Sequence, residues 1–199
     1  MACTPPTPRT QVYWLQGITL AWMLVEFGVA AYAALTARSP VLLAFGSDSL
    51  VELLSAGVVL LQWIPGARIA EHRAARIASV LLFVLAFVVA GVALGSLLLK
   101  VHPEASRMGI AITLAALLVM PILAGLKHRE ARRSGNVALA ADAAQSATCA
   151  YLALIALLGL AANAIFRIGW FDAAAALVAV PLLLKEARAA WKGQTCSCC

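Results

Sequence analysis

The sequence is short of charge. Only 12% of its 199 residues are Asp, Glu, Lys or Arg, whereas 63% are hydrophobic, and the mean hydropathy is +0.93. A soluble domain carries about a quarter charged residues. A water-soluble globule is therefore excluded and an integral membrane protein indicated. The chain also lacks the apolar–polar alternation that marks barrel strands, since its apolar residues come in long solid runs. It has no Gly-rich phosphate loop, no Ser/His/Asp arrangement and no pair of carboxylates in a soluble segment, so covalent enzyme chemistry has no support. The net charge of +6 is spread over short loops rather than gathered into a patch, which argues against a nucleic-acid partner.

What is present is a succession of six apolar runs. A hydrocarbon layer about 30 Å thick calls for roughly 20 such residues per helix. The runs are Val12–Ala37, Val41–Ile64, Ala78–Leu99, Met108–Leu126, Val137–Phe166 and Trp170–Leu184. Between them lie "RSP", "PGARIAEHRAARI", "VHPEASR", "KHREARRSGN" and "RIG". The expected fold is all-α and integral to the membrane, with a flexible tail at 1–11, a six-helix domain at 12–188 and a Cys-rich tail at 189–199. The first run is too long for a signal-peptide core and is read as a retained helix. Eleven Lys and Arg, Lys127 among them, fall on one side of such a bundle and four on the other. By the positive-inside rule both termini are expected in the cytoplasm. The small size and high Ala content suggest a bacterial inner membrane.

Three of the spans carry polar stripes. The first has Gln16, Thr19 and Glu26, the second Asp48, Glu52 and Ser55, and the fifth Asp142, Gln145, Ser146 and Cys149. Helical spacing places each set along one face, and the faces are expected to meet inside the bundle. A charge at mid-bilayer costs several kcal/mol, yet no Lys or Arg falls in the central part of any span as delimited here. Four acids without a fixed cation must be protonated or joined by a mobile cation, and a transporter can alternate between those states. The plainer alternative is interhelical hydrogen bonding between neutral groups.

The second span, "SPVLLAFGSDSLVELLS", resembles the second helix of the cation diffusion facilitator family, which presents His or Asp, three spacers and Asp. Asp48 matches the first of these ligand positions and Glu52 the second. The fifth span, "ALAADAAQSATCAY", is similar to the family's A-D-x-x-H-x-x-x-D. Asp142 matches the leading Asp, with Gln145 at the His position and Cys149 at the last Asp. In "WFDAAAALVAV", similar to the family's W-x-D-P stretch, Asp172 reads as a helix-start residue. The resemblance covers roughly residues 12–188. It implies a divalent-metal exporter, usually dimeric and proton-coupled, here without the cytoplasmic domain that usually follows the sixth helix. Asp48, Glu52 and Cys149 would then bind a zinc-like cargo. Gln145 and Asp142 would shape the site or relay protons, and Glu26 would lie on a proton path or behind the ligands. No permanently bound cofactor is implied.

The terminal "TCSCC" places Cys196, Cys198 and Cys199 where they could capture a thiophilic ion. Gly91 and Gly95 form a small-xxx-small motif suited to helix packing or to a homodimer contact. Two rival functions stay open. One is a non-transporting membrane protein that senses metal or binds a partner. The other is a carrier of small organic cations.

Overall fold

The computed structural model describes residues 9–62, 71–99, 103–104, 106–135, 137–166, 168 and 170–192. These form six α-helices: α1 (Arg9–Ala37), α2 (Pro40–Gln62), α3 (Glu71–Leu98), α4 (Arg107–Ser134), α5 (Val137–Phe166) and α6 (Trp170–Trp191). No strand occurs among the described residues. Four stretches are long and apolar enough to cross a membrane: Val12–Ala37, Ser79–Leu98, Arg107–Ser134 and Asp142–Phe166. The six expected runs thus return as six helices. The main difference is at α4, which continues two turns past Leu126 to Ser134.

Local chemistry sets several helix ends. Ser106 caps α4 by accepting from the Gly109 amide at 2.9 Å, and Gly135, in the left-handed region at φ 64°, closes it. At the start of α2, the Ser39 hydroxyl accepts from the Leu42 amide at 3.2 Å, and Pro40 occupies the first helical position. Asp172 of α6 then completes this end. Its carboxylate accepts from Ser39 Oγ at 2.6 Å and from the Val41 amide at 3.0 Å. Asp172 is therefore a helix-end residue, as its position in the sequence suggested, and it caps a helix other than its own.

Tertiary bonds order the helices up and down. The α1–α2, α3–α4 and α5–α6 connections gather at one end, where Glu104 N donates to Ala37 O at 2.9 Å and Asn163 Nδ2 donates to Pro103 O at 3.0 Å. Near the opposite end, Ser79 Oγ of α3 donates to Ala187 O of α6 at 2.7 Å. Helices α1, α2, α5 and α4 contact one another in a closed ring, while α3 pairs with α6, α3 packing on α2 and α6 on α2 and α5. Large apolar side chains face outward, including Leu35, Phe87, Leu98 and Leu118. Polar ones face inward, including Gln16, Glu26, Asp48, Glu52 and Asp142. This is the distribution expected when the surrounding solvent is hydrocarbon.

The closest helix approach marked by a glycine is at Gly159 of α5, where an added methyl would come within 2.5 Å of Ala175 Cβ on α6. Gly91 and Gly95 of α3 behave differently. A methyl at either would meet nothing within 4 Å, so the motif does not pack inside the bundle. Gly159→Ala is expected to lower stability by about 1–3 kcal/mol through overpacking. Gly91→Ala is expected to be neutral or slightly stabilising. Denaturation in detergent, followed by circular dichroism, separates the two outcomes.

Candidate functional site

The interior of the ring holds the polar stripes, and most of their members meet. Gln16, Thr19, Glu26, Asp48, Ser49, Glu52, Asp142, Ser146 and Cys149 are all buried. Asp48 and Glu52 are one turn apart on α2, and Asp142, Ser146 and Cys149 repeat at i, i+4 and i+7 on α5. Gln145 lies off that line and is only half buried. The side chain of Ser55 and the three tail thiols Cys196, Cys198 and Cys199 lie outside the described residues.

Two polar layers can be distinguished along the bundle. The first is built on Lys127, which belongs to α4 and not, as expected from its sequence, to the charged joint after it. Its side chain is fully buried, with Nζ 3.0 Å from Asp142 Oδ2, 3.3 Å from Glu52 Oε1 and 2.7 Å from Ser146 Oγ. Gln16 Nε2 donates to the same Asp142 oxygen at 2.9 Å, and Ser146 donates to Glu52. The expectation of acids without any fixed cation is thus corrected. Glu52 and Asp142 share one, because α4 stays helical beyond Leu126 and carries Lys127 along its buried face. Lys127 also leaves the count of loop charges used to orient the chain. The signal was available in the sequence: buried positions Met120, Leu123, Lys127 and Glu130 continue a three- and four-residue rhythm straight through the charged segment.

The second layer, deeper in the bundle, has no buried cation among the described residues. Glu26 of α1 accepts from Trp22 Nε1 at 2.6 Å and from Ser49 Oγ at 2.6 Å, and the Cys149 thiol donates to it at 3.4 Å. Asp48 is 0% exposed, and neither of its oxygens has a formed hydrogen bond. Its electrostatic neighbours are Glu186 of α6, Glu52, the Cys149 thiol and Glu26. Glu186 is half buried with one carboxylate oxygen unpartnered. It lies beyond the sixth apolar run, which ends at Leu184, because α6 extends to Trp191. Lys127, Glu186, Trp22 and Ser49 are thus additions to the residues chosen from the sequence.

Charge arithmetic then defines the chemistry available. Glu26, Asp48, Glu52 and Asp142 are four fully buried carboxyl groups in the ring interior, apart from Asp172 at the start of α2, and Lys127 is the one fully buried cationic side chain among the described residues. An unpaired buried carboxylate is costly. The surplus must be neutralised by protons or by an added cation. Among the described residues, no three His, Cys, Asp or Glu side chains converge closely enough to hold a metal ion. Carboxylate and thiol donors are adjacent, and a cation would have to draw them together.

The Lys127 network makes a measurable demand on stability. Lys127→Met leaves Glu52 and Asp142 facing each other unpaired, and a loss of about 3–5 kcal/mol is expected. Adding Glu52→Gln to Lys127→Met should cost less than the sum of the single changes, because the two residues share one interaction. Denaturant titration of the four proteins checks this. No protein-family model matches the chain, and no curated protein matches it.

Proposed function

We propose that the protein is a secondary transporter that carries a divalent metal cation across a membrane. The single observation that carries this reading is Asp48, a fully buried carboxylate with both oxygens unpartnered, beside Glu186, Glu52 and the Cys149 thiol. A permanently apolar or structural position has no use for such a group. A site that is vacated and refilled does.

In this reading the chain crosses the membrane six times, with both termini in the cytoplasm of a bacterial cell and the inner membrane as its location. The up-and-down order and the common end of the first and last helices support that arrangement. The resemblance of α2 and α5 to the cation diffusion facilitator family supports metal efflux in exchange for protons, by alternating access around the ring interior. Asp48 is the principal ligand and Cys149 biases the site toward zinc-like ions over hard ones. Glu186 adds a second carboxylate from α6. Glu52 and Asp142, held by Lys127 in this conformation, join the site when the helices rearrange. Gln145 and Glu26 serve as polar neighbours on the path. The exposed Gly91–Gly95 face of α3 is available to a second copy of the chain.

A non-transporting metal sensor is the second reading, and the observation favouring it is that no three ligating side chains have converged among the described residues. Flux separates the two. In liposomes with a proton gradient, the protein is expected to move zinc or a similar ion. Asp48→Asn and Glu52→Ala should reduce the flux to the level of empty vesicles. Zinc binding without flux of any divalent metal, from folded protein, would establish the sensor reading instead.

A further inference from the structure

Glu52, which the sequence places among the ligands, and Asp142, which it places beside them, are already occupied. The ammonium group of Lys127 spends its three donors on Asp142 Oδ2, Glu52 Oε1 and Ser146 Oγ, at 3.0, 3.3 and 2.7 Å. This is how a small cation would be coordinated there, with the difference that the charge is tethered to α4. The remaining oxygens of the pair, Glu52 Oε2 and Asp142 Oδ1, are buried and unpartnered. Asp48, also unpartnered, lies one helical turn from Glu52. An incoming cation held by Asp48 would therefore meet the free face of Glu52 while Lys127 holds the other face. Two like charges on one carboxylate repel, so the two cannot both be bound well.

We propose that Lys127 is a tethered cation that competes with the transported cation for Glu52 and Asp142. When cargo is absent, the ammonium neutralises the pair. When cargo arrives, Lys127 is displaced along its flexible four-carbon stem. When cargo leaves, Lys127 returns and keeps the interior from retaining the ion. The consequence is a site of deliberately reduced affinity that empties on every cycle. The inference rests on the transport reading, and it adds a residue outside the ligands that sets how tightly the cargo is held.

The test is zinc binding by the full-length protein in detergent micelles, measured in competition with a chromophoric chelator. Interior sites are those lost in Asp48→Asn, which sets aside zinc held by the terminal thiols. Lys127→Met is expected to bind interior zinc about tenfold more tightly than the unmodified protein, or better. Lys127→Arg, which keeps the charge, should show no such gain, and adding Glu52→Gln to Lys127→Met should erase it. Unchanged or weaker binding by folded Lys127→Met would overturn the competition and leave the transport reading intact. Absence of any interior zinc site in the unmodified protein would overturn both. Should Lys127→Met fail to fold, the unmodified protein labelled with 15N at its four lysines answers the question. Zinc must shift the ammonium resonance that Lys127→Arg lacks, and an unshifted resonance at saturating zinc would overturn the proposal.

Discussion

Everything in this molecule turns on the cost of negative charge inside hydrocarbon. Among the described residues, Glu26, Asp48, Glu52 and Asp142 are buried in the ring interior of a bundle whose outer surface is rich in Leu, Val and Phe, and one ammonium, that of Lys127, is buried with them. The Lys127 contacts to Glu52 and Asp142 settle part of that imbalance. Glu26 is settled differently, through an indole, a hydroxyl and a thiol. Asp48 has no formed hydrogen bond and no buried cation among the described residues, and only the neighbouring Cys149 thiol favours its charge. The polar interior is therefore graded, from a cation-paired layer around Lys127, in which Glu52 Oε2 and Asp142 Oδ1 are still unpartnered, to one around Asp48 that has no buried cation among the described residues.

The fold is arranged to hold that gradient. Helices α1, α2, α4 and α5 close around it, and each supplies at least one of its polar members. Helices α3 and α6 brace the ring from one side. The brace is tied to the ring by Asp172, which links α6 to the start of α2, and its own two helices are tied together near the other end by the bond from Ser79 to Ala187. Helix α2 is thus gripped at its first turn while its middle carries Asp48 and Glu52. Any movement that opens the interior must pivot about that tie or break it.

Much of this was legible in the residues. Long apolar runs separated by short charged joints gave six helices, because hydrocarbon leaves a chain few other ways to satisfy its backbone. The spacing of Gln16, Glu26, Asp48, Glu52, Asp142 and Cys149 placed them on inward faces, since a polar group on the lipid side has no partner. The failures share one cause. Lys127 and Glu186 sit just past the last uninterrupted apolar residue of their helices, where hydropathy marks an end although the backbone does not. A helix stops at a cap rather than at a charge, and Gly135 is the cap that ends α4. Following the buried rhythm to that glycine would have put Lys127 inside. Gln145 is favoured by motif position, while the angle around α5 leaves it half buried beside the line of Asp142, Ser146 and Cys149.

The most direct test of the account is to look for the cation itself. Anomalous diffraction from crystals of the protein grown with zinc should show a peak in the ring interior beside Asp48, within reach of Cys149 and Glu186 and apart from Lys127 Nζ. Zinc found only outside the bundle, with Asp48 still unpartnered, would contradict the claim that the uncompensated acids exist to bind a mobile cation.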